Sequence, residues 1–88
     1  MNTNNNAPTF EEFKEAVFEY FAPLAERARK VRHGGPTAAE FMETEDAEFA
    51  LKDGYESSLS RFKEGRMTRD IFLNSTAAST ATCLSMLY

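Results

Sequence analysis

The chain reads as all-α: a small three-helix domain, the first helix kinked at Pro23 and the uncharged C-terminal helix the most buried. Three observations carry this. Apolar residues recur at 3-4 spacing along two long stretches, which draws one stripe on a helix surface. Two Thr-x-x-Glu patterns, Thr9 with Glu12 and Thr37 with Glu40, stand where helices would start. The segment TATCLSMLY could alternate as a strand, but no other stretch alternates well enough to pair with it. At 88 residues the chain makes one domain, close to the smallest size that folds on a single core.

Residues 1–8, MNTNNNAP, form a polar lead without the basic and apolar regions of a signal peptide, expected to be disordered. Residues 9–88 are the single helical domain. Thr9 opens the first helix, its hydroxyl accepting an early backbone N–H while Glu12 reaches back to the cap. The stripe that follows is Phe10, Phe13, Val17, Tyr20, Phe21, Leu24, Ala28 and Val31. Pro23 lacks the N–H that would bond the Glu19 carbonyl, which predicts a kink or break near Phe21–Pro23. The Gly34-Gly35-Pro36 punctuation ends the helix, with glycine expected as the left-handed cap.

Thr37 starts the second helix, whose core face is Phe41, Ala47, Leu51, Tyr55, Leu59 and Phe62. Gly54 weakens a helix by about 1 kcal/mol relative to Ala, yet the stripe keeps its phase across it. One long helix ending at Gly65 is therefore the expectation. Thr68 and Asp70 suit the start of a third helix. That helix is the run Ile71–Tyr88, without Asp, Glu, Lys, Arg or His. A segment with no charged face needs cover. Its Ser, Thr and Ala residues permit close helix approach, and the hydroxyls bond back to carbonyls of the preceding turn.

Composition narrows the function classes. Fourteen acids against ten Lys and Arg leave a net charge of -4, which opposes direct nucleic-acid binding. The one cysteine, Cys83, and one histidine, His33, leave no structural zinc set and no intrachain disulfide. Cys83 reads as a small packing group in a reducing, cytoplasmic setting. The C-terminal run is too rich in Asn, Ser and Thr for a membrane span. A catalytic set, a phosphate-cradling loop and a cofactor motif are all missing, so an enzyme is not expected.

Three groups of residues remain as candidate sites. On the acidic side of the second helix, Met42 and Phe49 stand seven residues apart among Glu45, Asp46, Asp53 and Glu56. An apolar pair ringed by acids is the form of a partner-binding anchor with a polar rim. Arg29, Lys30, Arg32 and His33 form a basic cluster that could hold an anion such as a nucleotide, shared between subunits of an oligomer. The macrodipole gives the same residues a plainer role at a helix C-terminus. Ser75, Ala78, Ser79, Thr82 and Met86 mark a self-association stripe on the uncharged helix, with a homodimer expected. Together these describe a non-enzymatic regulator or inhibitor that occupies a partner protein's surface. Phage-encoded antagonists of host defence, anti-CRISPR proteins among them, share its size and charge, though no motif carries that link. Nucleic-acid mimicry by the acidic face is a lesser alternative.

Overall fold

The computed structural model describes residues 6–88, and the first five residues of the polar lead lie outside it. The described residues are all-α. They comprise α1 (Phe10–Arg32), α2 (Ala38–Met42), α3 (Glu45–Lys63), α4 (Arg69–Ile71), a π-helical segment (Phe72–Thr76) and α5 (Ala77–Leu87). The last three run on without a break as one C-terminal helix. Three long rods result, with principal extents of 50 × 20 × 18 Å.

The N-terminal capping box of α1 is complete: Thr9 Oγ1 accepts from the Glu12 amide at 3.1 Å, and the Thr9 amide donates to Glu12 Oε1 at 2.8 Å. Acids in the first turn and Arg29, Lys30 and Arg32 in the last complement the helix dipole at both ends. The helix runs unbroken through Pro23. Losing one hydrogen bond there does not stop a helix whose Phe21 and Ala25 are buried on either side of it. Its core stripe is Phe13, Val17, Phe21 and Ala25 in strict four-residue steps, narrower than the sequence suggested. Val31, at the stripe's far end, is exposed. The terminal cap is His33, with φ 61 and ψ 39, rather than a glycine.

The expected single second helix is two. α2 closes at Glu43, and α3 begins afresh from Thr44. The Thr44 hydroxyl serves both, donating to the Phe41 carbonyl at 2.7 Å and accepting from the Ala47 amide at 3.3 Å. Two orphan groups of facing helix ends are thus satisfied by one side chain. α3 ends at Lys63. Gly65, at φ 77, takes the left-handed conformation that lets the Arg66 amide return to the Arg61 carbonyl.

α1 and the C-terminal helix pack directly on each other in parallel, as ring contacts at both ends require, and α3 runs antiparallel to the C-terminal helix, with Gly54 against Thr80 and Phe62 against Phe72. At one end Phe72 packs against Phe13, Tyr55 and Phe62. At the other, Phe21, Phe41 and Tyr88 pack mutually at centroid distances of 5.2–5.6 Å. Arg32 closes this second cluster, its guanidinium carbon 4.6 Å from the Tyr88 ring and its Nη1 donating to the Tyr88 main-chain oxygen at 2.8 Å. The Tyr88 hydroxyl also donates to the Pro36 carbonyl.

The C-terminal helix is the most densely buried of the long rods, with Ala77, Thr80, Ala81 and Leu84 among the eleven residues of α5 inside. Ala77 stands five positions after Phe72, and both are fully buried. In a regular α-helix that step would turn the two about 140° apart. The π-helical segment takes up the extra residue and keeps both on the core side. The polar lead is held from Asn6 onward: Pro8 is fully buried, and its carbonyl accepts from the Tyr55 hydroxyl at 2.7 Å. Arg69 donates to the Asn6 carbonyl at 3.1 Å and to the carboxylate of Glu12.

Candidate functional site

The α2–α3 break decides what the acidic side presents. Residues seven apart align only within one continuous helix, and the break at Glu43–Thr44 separates Met42 from Phe49. Met42 turns inward and is 4% exposed, in the core beside Phe41. Phe49 turns outward and is 77% exposed. The predicted pair is therefore one buried residue and one exposed aromatic.

Phe49 keeps its acidic surroundings. Glu45 and Asp46 lie one turn before it on α3, Asp53 one turn after and Glu56 two turns after, all exposed. The one base among them, Lys52, is bound to Glu48 at 3.5 Å. A bare phenyl ring with carboxylates above and below it can insert into an apolar socket while the carboxylates meet cations around the rim.

The basic cluster is dispersed. Arg29 donates through Nε to the Gly35 carbonyl at 3.3 Å and pairs with Glu26 at 3.7 Å, holding the loop after α1. Arg32 is engaged with Tyr88. Lys30 and His33 are exposed, and His33 is committed by its backbone to the helix cap. Two of the four side chains thus serve structure.

The stripe on the C-terminal helix faces outward. Ser75, Ser79, Thr82 and Met86 are exposed and Ala78 half-buried, with Met86 at 81%. Thr82 bonds back to the Ala78 carbonyl at 3.1 Å and Ser85 to the Thr82 carbonyl at 2.6 Å, which lowers their demand for water. Cys83, read as a packing group, is instead exposed on this helix. Close approach through small residues does occur, but within the chain. A Cβ on Gly54 would lie 2.7 Å from Thr80 Oγ1, so α3 and α5 touch nearly backbone to side chain. Ser58, fully buried, was not foreseen; its hydroxyl donates to the Gly54 carbonyl at 2.8 Å.

A further surface escaped the sequence reading. Between α1 and α2 lies a groove of about 400 Å³ whose apolar lining is Phe18, Ala39 and Met42. It forms because α2 is a separate short helix, and the expected continuous helix gives no hint of it. Among the described residues, no helix is long and apolar enough to cross a membrane. No three His, Cys, Asp or Glu side chains among them gather to hold a metal ion. No family model, curated protein or solved structure matches this chain.

Proposed function

We propose that this chain is a non-enzymatic, cytoplasmic protein-binding module, a small regulator or inhibitor that covers a partner's surface with the acidic face of α3. The observation that carries the reading is Phe49, exposed on a helix face with the acids Glu45, Asp46, Asp53 and Glu56, where the one base, Lys52, is paired with Glu48. An isolated exposed leucine or valine is ordinary on a protein surface. A large aromatic ring at the centre of a predominantly acidic face suits an anchor, since rings dominate interface energetics and the rim selects a basic partner.

The test compares wild type with Phe49→Asp and with Lys63→Glu, a control on the same helix. A captured partner must be lost with Phe49→Asp and kept with Lys63→Glu. Once purified, it must bind directly, with an affinity that falls as salt rises. A partner that binds Phe49→Asp as tightly as wild type would sink the reading.

A second element of the proposal is pairing of two copies through the outward face of the C-terminal helix. Its support is that Ser75, Ala78, Ser79, Thr82 and Met86 bring no charge to the contact. Two molecules of net charge -4 repel on most other faces. A two-fold contact sets a patch against itself, which an uncharged stripe tolerates.

A further inference from the structure

The groove between α1 and α2 belongs neither to the Phe49 face nor to the outward stripe of the C-terminal helix. Its apolar lining is Phe18, Ala39 and Met42. Its rim is acidic: Glu11, Glu15 and Glu19 follow one another along α1, and Glu43 faces them from the end of α2. A smaller neighbouring cavity shares Lys14, Met42 and Glu43 with the groove and is lined further by Phe10, Glu48 and Leu51, which adds a carboxylate. Lys14 is the one cation in either stretch, and Glu43 holds it at 3.6 Å. Among the described residues, Glu11, Glu15 and Glu19 have no ion-pair partner.

We propose that this groove docks a basic amphipathic helix from a partner protein. The three α1 carboxylates repeat every four residues, a rise of about 6 Å per step at 1.5 Å per residue. Lys or Arg residues four apart on an incoming helix repeat at the same distance, so the two rows match in step. The apolar stripe of that helix would rest on Phe18 and Met42, the usual way an amphipathic helix occupies a groove. An anionic lipid surface or a nucleic acid would meet carboxylates first and be repelled, and a small cation would engage only one of the three steps. The proposal rests on the reading of the chain as a protein-binding module, but it uses a different face from Phe49.

The two faces can be told apart with one probe: a labelled, short, helix-forming peptide with leucines on one side and lysines on the other. Its fluorescence anisotropy is measured at low salt against the wild-type chain and two variants of equal net charge. Glu15→Lys with Glu19→Lys reverses the groove; Asp53→Lys with Glu56→Lys reverses the Phe49 face. Circular dichroism checks that both remain helical. The groove variant is expected to weaken binding about tenfold or more and the α3 variant about twofold or less. Replacing the peptide's leucines by serine should cost a similar factor to the groove variant. Lys14→Ala should tighten binding, because it removes the rim's cation and frees Glu43.

Equal weakening by both variants would overturn the proposal, because attraction would then be general. Weakening by the α3 variant alone would also overturn it, while supporting the Phe49 reading. Absence of peptide binding to the wild-type chain would overturn it outright, and would leave the Phe49 face to be judged by its own partner test.

Discussion

Gly54 looks in the sequence like a weak point in α3, but Thr80 makes it a requirement. Alanine there gains about 1 kcal/mol of helix propensity and loses about 1–3 kcal/mol to overpacking. Gly54→Ala should therefore lower the urea midpoint, and adding Thr80→Ala should restore much of it by removing the atoms in the way. A midpoint raised by the full helix-propensity gain would mean that the helices part without penalty. His33 is the opposite case, a residue with a side chain in the left-handed region. His33→Gly should raise stability by about 0.5–1 kcal/mol in the same assay. Glu12 supplies a pH signature. The hydrogen bond from the Thr9 backbone, together with the Arg69 guanidinium, lowers its pKa from the ordinary 4.5. Because the folded-state value lies below the unfolded one, its contribution is complete above the unfolded value. It disappears as pH falls through the folded value. The urea midpoint should thus drop less steeply below pH 4.5 for Glu12→Gln than for wild type.

At the scale of elements, the sequence was most informative where a signal is local. Both capping boxes form with the residues anticipated, since a Thr and a Glu three positions on satisfy each other's backbone without outside help. Thr44 gives no such signal in the sequence, because the third position of its helix is Ala47, so only half of the box exists and the apolar spacing runs through it. Thr44→Ala should cost about 1 kcal/mol by leaving the Ala47 amide without its acceptor. Amide exchange in the first turn of α3 would show that loss directly. The π-helical segment was also illegible, because a five-residue step between Phe72 and Ala77 fits no regular period. The acidic face was half legible. Its carboxylates and Phe49 stand outward as read, but Met42 left them when the helix broke, and the groove that Met42 lines came with that break.

For the whole molecule, the uncharged stretch proves to have two sides. One is the densest part of the core, and the other carries Met86, Thr82 and Ser79 at the surface. Light scattering across a concentration range should show a dimer that Thr82→Arg converts to monomer; a monodisperse wild-type monomer would exclude self-association. The parallel placement of the first and last helices has one more consequence, for how the molecule comes to be folded. The most extensive helix–helix contact joins α1 to α5, and pairs such as Phe13 with Phe72 and Phe21 with Tyr88 are distant in the chain. Helical bundles fold fast because their contacts are mostly between neighbours in sequence. Here the main core contact waits for the chain's two ends to meet. Refolding in a stopped-flow experiment should accordingly be slower than this helix content implies, with both ends gaining protection from exchange in the same step.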